Sequence, residues 1–308
     1  MTSDVTIREL DPARDAEAVV AILRAANPQW LLTPDSWRYD FEHAPERAAW
    51  RGWVATRDTI VGVAVSGRDP WTSEPGVGRI RANVRADSRR RGIGSRLYEV
   101  AEKHVLGIGS RRLLTTIVED DAALRFAAAR GFAPGHVAVH SRVDPTTVDV
   151  SPLEGLPAGV RVTPLAELTE RLEEVCDVVR EAVLDEPGSV QADAFRYAEF
   201  LDEIQNPLSS WDATFCTLVE DEIVTFAGAM VDPATSAARN GFTGTRRRAR
   251  GKGYATFAKL ASIRRLAETG YRALWTGNDE TNAAMLAVNT RLGYRPALRT
   301  VEVVRTVS

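Results

Sequence analysis

The sequence runs through the same order of elements twice, and this internal repeat restricts the fold more than any other feature. Segments Arg89–Val105 and Arg250–Leu266 start 161 residues apart, and each opens with basic and small residues before a helical apolar pattern. A strand pattern follows each of them, at Arg112–Val118 and Tyr271–Gly277. Because the order of elements is conserved between the halves, the sequence predicts two copies of one domain.

The remaining elements of each half fit the same plan. A short helix in each half ends in glycine followed by an aromatic residue, as expected where a left-handed residue terminates a helix; these pairs are Gly131-Phe132 and Gly293-Tyr294. Two strand pairs with polar turns predict hairpins at Gly52–Ser66 and Thr214–Val231. Hairpins followed by alternating strands and helices predict an α/β fold. We expect two tandem domains, each a mixed, mostly antiparallel sheet flanked by helices.

The segment between the halves has a different composition. Residues Asp144–Val160 are rich in Pro, Gly and small polar residues and show neither helical nor strand periodicity. We therefore predict an N-terminal domain at 1–145, a linker at 146–158 and a C-terminal domain at 159–308, sizes that are ordinary for single domains.

Composition narrows the class of protein. With 44% hydrophobic and 26% charged residues and no long apolar run, the chain is predicted to be globular, without a membrane partner. Its start lacks the features of a signal peptide, so a cytoplasmic location is expected. Two cysteines, Cys176 and Cys216, give neither a disulfide framework nor zinc spacing, and no metal is expected. A net charge of -3 argues against a nucleic-acid partner, despite the run Arg246–Arg248.

The two basic, glycine-containing loops carry the strongest chemical signal. A helix N-terminus presents backbone N–H groups without intrahelical partners, glycine lets the backbone close around an oxyanion, and arginine adds fork-shaped donors. One such loop is also compatible with an ordinary basic helix start, whereas two copies at equivalent positions favour phosphate binding. The missing Gly-Lys-Ser/Thr excludes a Walker loop, and the depth of the glycines in each half disfavours a Rossmann fingerprint. The predicted phosphate contacts are Arg89, Arg90, Arg91, Gly92, Ile93, Gly94 and Ser95, and Arg250, Gly251, Lys252, Gly253, Tyr254 and Ala255.

Both halves resemble the GNAT superfamily of N-acetyltransferases. The resemblance lies in the loop after a strand, the following helix and the closing Gly-aromatic pair. The second half looks like the closer match, since Thr276–Pro296 resembles the bacterial tandem acetyltransferases that include mycothiol synthase. Only the linker falls outside the resemblance.

The resemblance implies acetyl-CoA as acyl donor, with its pyrophosphate on the loops. It further implies that the strand before each loop pairs with the pantetheine arm, and that asparagines after the later strand of the second half lie near that arm. The residues concerned are Asn83 and Val84, Thr243 and Thr245, and Asn278 and Asn282.

The halves differ where the family places a general acid. That position holds Ala127 in the first half and Asn289 in the second, and acidic residues of Val118–Leu124 replace the asparagines. We therefore predict that the C-terminal domain is catalytic, with Asn289 contributing. The N-terminal domain is predicted to bind CoA without turnover or to have lost activity, although activity in both halves stays open.

A base is needed to remove the proton of an attacking amine. Residues 159–308 contain no histidine, so a carboxylate or a water chain is expected there. Between Glu167 and Glu203 there are twelve Asp or Glu residues against three Arg, and Glu199 and Glu203 share a predicted helix face. These two are candidate bases, and for each of them a solvated helix face is the alternative.

The resulting hypothesis is an acetyl-CoA-dependent transfer of an acetyl group to a primary amine of a small molecule, by direct attack in a ternary complex. The alternative is a catalytically silent acyl-CoA-binding protein with a structural or regulatory role. We expect a monomer or homodimer, and the residues do not specify the acceptor.

Overall fold

Each half of the repeat provides most of one β-sheet with helices packed on it. The computed structural model describes residues 5–307, so the first four residues of the segment inspected for a signal peptide lie outside it. The chain divides into unit 1, which runs to Val137 and resumes at Arg299, and unit 2, which spans Ala138–Leu298.

Unit 1 contains a sheet in which all neighbouring strands are antiparallel except β4 and β5. In spatial order its strands are β1 (Thr6–Glu9), β2 (Arg51–Thr56), β3 (Ile60–Arg68), β4 (Val77–Val84), β5 (Arg112–Val118) and the C-terminal part of β12 (Arg295–Thr306). Its helices are α1 (Pro12–Ala26), α2 (Pro34–Glu42), α3 (Ile93–Gly107) and α4 (Asp121–Ala128).

Unit 2 repeats this plan, and its one parallel pair is β10 with β11. In spatial order its strands are the C-terminal part of β6 (Ala133–Val143), β11 (Ala273–Asp279), β10 (Ala237–Thr245), β9 (Glu222–Asp232), β8 (Phe215–Val219) and β7 (Val160–Pro164). Its helices are α5 (Leu172–Val183), α6 (Tyr197–Gln205), α7 (Tyr254–Glu268) and α8 (Ala283–Arg291). The predicted fold class is therefore confirmed.

The units exchange their last strands. In unit 1, β12 pairs with β5 from Thr300↔Val118 to Thr306↔Arg112. In unit 2, β6 pairs with β11 from Leu274↔Val143 to Asp279↔Ala138. The units thus differ from a simple division at 145 and 159, because side-chain periodicity identifies a strand but does not say which sheet edge it joins.

The predicted linker is ordered on unit 2. It contains two short 3-10 helices, Pro145–Thr147 and Ser151–Gly155. Val148, Val150 and Leu153 pack against the core cluster that includes Leu260 and Ile263 of α7. A segment without regular periodicity therefore still contributes apolar side chains to the core.

The helices after the glycine loops are held by apolar stripes. On α3, Leu97, Ala101 and Val105 recur at four-residue spacing and are fully buried against the sheet. On α7, the corresponding positions are Ala258, Ser262 and Leu266, and they are fully buried as well. This packing fixes the start of each helix, and with it the glycine loop, against the end of the preceding strand.

The predicted hairpins are present. Strands β2 and β3 meet around Arg57 and Asp58, and β8 and β9 meet at Glu220 and Asp221. The last two residues have φ of 47° and 70°, the left-handed geometry that two-residue hairpin loops require.

The exchange predicts which unit each exchanged strand stabilises. Val303 of β12 lies in the unit 1 core and Val143 of β6 lies in the unit 2 core. A buried charge costs several kcal/mol, so we expect Val303→Asp to accelerate amide hydrogen exchange in β5 and α3 by 100-fold or more, about 3 kcal/mol. Val143→Asp is the matched variant, and it should accelerate exchange in β11 and α7 instead. Acceleration of β11 and α7 by Val303→Asp would contradict the strand assignment.

Candidate functional site

The parallel strand pair of each unit separates along its length. Strands β4 and β5 pair over three positions, from Val77↔Arg112 to Arg79↔Leu114, and then part. Strands β10 and β11 pair over three equivalent positions, from Ala237↔Ala273 to Arg239↔Trp275. All four strands continue for several residues beyond these paired positions without pairing, so each unit contains a wedge-shaped gap bordered by strand edges. Backbone groups on those edges are available to a ligand that runs between the strands.

The two glycine loops have the same backbone geometry. Gly92 and Gly253 are left-handed N-cap residues with φ of 76° and 83°, and neither helix start has a side-chain cap. Arg90 and Gly251, two residues earlier in each loop, also have positive φ. The first amides of α3 and α7 are therefore presented without a protein cap, which is the arrangement that binds oxyanions at helix N-termini.

One arginine in each loop folds back onto the preceding strand. Arg89 Nε donates to the carbonyl of Val84 at 3.0 Å, and Arg250 Nε donates to that of Thr245 at 3.0 Å. These bonds position both guanidinium groups beside the helix start. They also occupy the carbonyl oxygens of Val84 and Thr245, two residues predicted to meet the pantetheine arm.

Unit 1 contains a cleft of about 910 Å³, here called the unit 1 cleft. It is lined by the loop, by consecutive residues of β4 and β5, by α4 and by the end of α1 at Ala25–Pro28. Since consecutive strand residues face opposite sides of a sheet, the cleft passes through the gap between β4 and β5. Seven of the predicted CoA-binding residues line it: Asn83, Val84, Arg89, Arg90, Gly92, Gly94 and Ser95. The side chain of Ile93 is instead buried in the core.

The charges around the two loops differ. Within residues 5–307, Arg89, Arg90 and Arg91 form no ion pair. In unit 2, Arg250 NH1 lies 2.7 Å from Asp185 Oδ2, and Arg247 binds the same carboxylate at 2.7 Å. Hydrogen bonds from these two arginines, Arg247 first, lower the pKa of Asp185 to about 2. An anion at the second loop must compete with Asp185, whereas Arg89 and Arg90 of the first loop have no such carboxylate partner among the described residues.

A chain of polar side chains lies behind the gap of unit 2. Lys259 Nζ donates to Asn289 Oδ1 at 2.8 Å, and Asn289 Nδ2 donates to Asn278 Oδ1 at 2.6 Å. Lys259 Nζ also lies 5.4 Å from the ring centroid of Tyr294. Lys259 is 1% exposed, and burial lowers the pKa of its ammonium group to about 7. The predicted residues Asn278 and Asn289 thus contact each other directly, and Asn289 also accepts from a buried lysine that sequence analysis missed.

The signal for Lys259 was a cation on the buried face of an otherwise apolar helix. The residue 161 positions earlier is Tyr98 of α3, which lines the unit 1 cleft. Tyr98 donates to Glu102 Oε1 at 2.9 Å and accepts from Arg305 at 2.9 Å, and burial is the main cause that raises its pKa to about 12. The same position therefore carries a neutral phenol in unit 1 and a titratable amine in unit 2.

The other predicted residues of unit 2 have local roles that the structure makes visible. Glu199 is buried at the start of α6, where its Oε2 accepts from Arg196 N at 3.1 Å. Glu203 is an exposed residue of the same helix. Asn282 caps α8 by accepting from Met285 N at 3.2 Å, and Thr245 shares a 3.0 Å hydroxyl bond with Thr225. Their part in catalysis or CoA binding remains a prediction.

A second carboxylate pair, which sequence analysis did not single out, lies at the end of β11, one of the two strands that border the gap of unit 2. Glu186 follows α5, and its carboxylate lies close enough to that of Asp279, at the end of β11, for the two charges to interact. Glu186 is accessible to solvent yet surrounded by protein, and partial loss of hydration, followed by the charge of Asp279, raises its pKa. Within residues 5–307, the Glu186 side chain has no hydrogen bond or ion pair. In sequence it was one of twelve acids with no feature to distinguish it.

Comparisons with known proteins agree with this geometry. Residues 17–132 match the model of the acetyltransferase (GNAT) family. A tandem GNAT protein from the clavulanic acid biosynthesis pathway is similar over 99% of both chains, with a TM-score of 0.75 and 21% identity. This chain has a tandem GNAT fold. A GCN5-related N-acetyltransferase from Sphaerobacter thermophilus is similar over 98% of this chain and 95% of its own, with a TM-score of 0.73 and 16% identity. No curated protein matches the chain in sequence.

The family match places the resemblance differently from the motif analysis. It covers the first half of this tandem GNAT-fold chain, whereas the motifs suggested that the second half is the closer match. Across the part of the chain that the structure covers, no helix is long and apolar enough to span a bilayer.

Strand exchange also gives unit 2 a histidine. His140 of β6 lies opposite Gly277, where an added Cβ would stand 2.6 Å from His140 Nδ1. Burial, followed by the charge of Arg239, lowers the pKa of His140 to about 4. The imidazole is therefore neutral at pH 7 and a weak proton acceptor, so its arrival does not replace the expected carboxylate.

The buried lysine predicts a pH-dependent stability. The folded chain releases the Lys259 proton near pH 7, whereas the unfolded chain holds it up to about pH 10.5. The unfolded state therefore binds more protons between these values, and the free energy of unfolding contributed by Lys259 rises with pH there, by about 1.4 kcal/mol per unit.

Lys259→Met removes this titration. Relative to wild type, the variant should be more stable at pH 6–7, and this advantage should shrink by about 2.7 kcal/mol by pH 9, as measured by urea denaturation at each pH. Lys103→Met, at an exposed position of α3, is the matched control and should show no such trend. A pH-independent difference for Lys259→Met would contradict the buried, titrating amine.

Proposed function

We propose that this protein is an acetyl-CoA-dependent N-acetyltransferase that acetylates a primary amine of a small molecule by direct attack in a ternary complex. The GNAT fold supports acyl-CoA-dependent acetyl transfer in general. The observation that carries the proposal is the coincidence, in both units, of an uncapped glycine helix start with a gap between parallel strands.

The residues fit an acyl-CoA. In the unit 1 cleft, the first amides of α3 and the guanidinium groups of Arg89 and Arg90 would hold the pyrophosphate. The free edge of β4 around Asn83 and Val84 offers backbone partners to the amides of the pantetheine arm. In unit 2, the corresponding groups are the amides before Thr256, the edge of β10 at Thr243 and Thr245, and the asparagines Asn278 and Asn282.

We further propose that transfer takes place in unit 2 and that unit 1 holds CoA without turnover. The unit 1 cleft is lined by several arginines and by a single carboxylate, that of Asp120, which disfavours a cationic amine. Unit 2 offers the pair Glu186 and Asp279 instead. Competition from Asp185 weakens anion binding at the second loop, and weaker binding suits a site that must release CoA after each turnover.

The chemistry needs one proton acceptor. The neutral amine nitrogen attacks the thioester carbonyl and forms the new carbon–nitrogen bond. The carbon–sulfur bond then breaks and CoA leaves as its thiolate, while the proton lost by the nitrogen passes to a carboxylate. We propose Glu186 as that base because its raised pKa favours proton uptake and because, among residues 5–307, its side chain has no hydrogen bond or ion pair. Glu199 and Glu203 are the alternatives from sequence. Backbone N–H groups on the free edge of β10 would stabilise the oxyanion, and Asn289 would be held by Lys259 to face the leaving group.

The loops can be tested separately. Arg250→Glu with Gly253→Val reverses a charge and places a β-branched residue at φ of 83°, so we expect at least a tenfold loss of acetyl transfer with unit 1 binding retained. Arg89→Glu with Gly92→Val should remove at least tenfold of the CoA affinity of unit 1. Isothermal titration with CoA and a thiol-release assay measure the two effects. Unchanged CoA affinity in both double variants would show that the loops do not bind the pyrophosphate.

The proposed base can be tested through the acidic limb of the pH–rate profile. Glu186→Gln should lower kcat by 100-fold or more and abolish the rise of rate with pH through the raised pKa of Glu186. Glu173→Gln, an exposed acid of α5, is the control and should leave the profile unchanged. If Glu203→Gln or Glu199→Gln removes the limb instead, the base is that residue.

The catalytically silent alternative gives a different result. Thiol release from acetyl-CoA over a panel of small primary amines should exceed the rate without amine by at least tenfold for one member. Tight CoA binding without turnover on any amine would favour a structural or regulatory acyl-CoA-binding protein.

A further inference from the structure

The unit 1 cleft contains a cation that the CoA loop does not account for. On β4, Ile80 and Ala82 pack with α3 in the core, so Arg81 between them lies on the opposite face of the sheet, towards α1. Arg81 lines the cleft, and the cleft reaches this face through the gap between the strands. It is thus separated from the glycine loop by the sheet.

The charge of Arg81 is not neutralised by the protein. Its neighbour on the same face, Arg79, forms a 2.7 Å ion pair with the buried carboxylate of Asp69. Within residues 5–307, Arg81 has no ion pair and no hydrogen bond, and its Nε is buried without a partner. Burial, followed by the charge of Arg79, lowers the pKa of Arg81 to about 10, so the guanidinium remains charged at neutral pH.

The guanidinium is held in place by stacking. Arg81 Cζ lies 4.4 Å from the ring centroid of Trp30, which fixes the plane of the group and leaves its N–H edge free. Two residues along the same face, the Nδ2 of Asn83 is also buried without a partner. Residues two apart on a strand are roughly 7 Å apart, so both free donors border the same part of the cleft.

We propose that the end of the unit 1 cleft next to α1 binds the carboxylate of a small ligand through Arg81, with Asn83 as a second donor. One guanidinium and one neutral amide balance a single negative charge, whereas a phosphate dianion would remain partly uncompensated. The planar donor edge of a stacked arginine also matches the two oxygens of a carboxylate.

The carboxylate has two possible sources. An acyl-CoA held by the loop would place its acyl group in the gap, so a dicarboxylic acyl chain would bring its free end to Arg81; this source rests on the CoA binding proposed above. A separate small acid entering from the α1 side would present the same group without that requirement.

Two probe pairs distinguish these sources by titration with the full-length protein. Succinyl-CoA and butyryl-CoA have equal numbers of acyl carbons and differ in the terminal carboxylate. Butyrate and butyramide differ in carrying a carboxylate or a neutral amide. They are added to protein saturated with acetyl-CoA, and their binding is followed by ligand-observed NMR. We expect the acid to bind at least tenfold more tightly than its neutral counterpart in one pair, and we expect Arg81→Gln to remove that preference.

Two further variants guard against a folding defect. Arg81→Lys keeps the charge and should retain part of the preference, and Arg51→Gln makes the same charge change at an exposed residue of β2 and should retain all of it. Preference for succinyl-CoA assigns the site to the acyl chain, and preference for butyrate assigns it to a separate acid. Wild-type protein that binds CoA esters but prefers neither acid overturns this inference and leaves the proposed function intact. Absence of any CoA binding would instead contradict the proposed function. The comparison of butyrate with butyramide would then decide by itself whether Arg81 binds a carboxylate.

Discussion

In each unit two parallel strands separate after three residue pairs, and the features proposed to bind ligand are arranged around this separation. A sheet that stayed paired over the full length of β4 and β5 would leave no gap and no unpaired backbone edge. The packed stripe of the following helix holds the glycine loop at the end of the gap, where a left-handed glycine begins the helix without a capping side chain. The strand gap, the glycine loop and the helix start therefore form one structural motif, and unit 2 contains a second copy of it.

The two copies share the geometry of their glycine loops and differ in charge. Among the described residues, Arg89 and Arg90 of the first loop have no ion pair, and on the far side of the sheet Arg81 adds another unpaired cation. At the second loop Asp185 neutralises Arg250, and Glu186 interacts with Asp279 at the end of β11. A positive cleft favours anions and a negative rim favours amines. The surroundings of the two gaps therefore differ in charge, and this difference supports the different roles proposed for units 1 and 2.

Local features were predictable from sequence, and long-range ones were not. The glycine loops, the hairpin turn at Glu220 and Asp221 and the helix ends at Gly131 and Gly293 depend on backbone geometry that the residue itself dictates. The exchange of β6 and β12 depends on which edge is free when the chain closes, and strand periodicity contains no record of that choice. Lys259 and Arg81 were missed for a related reason, since a cation in a strand or helix pattern is usually solvated and only tertiary packing reveals its burial. Asn278 and Asn289 were expected to lie near each other, but the lysine that donates to Asn289 was not expected.

We propose that acyl-CoA lies between the separated strands with its phosphates on the glycine loops. Amide hydrogen exchange with and without saturating acetyl-CoA tests this directly, because protection is read peptide by peptide. We expect slower exchange in β4, in the loop from Arg89 to Ser95 and in the first turn of α3, followed at higher ligand concentration by the equivalent peptides from β10 to α7. Binding of acetyl-CoA without any change in these peptides would show that the ligand does not lie between the strands.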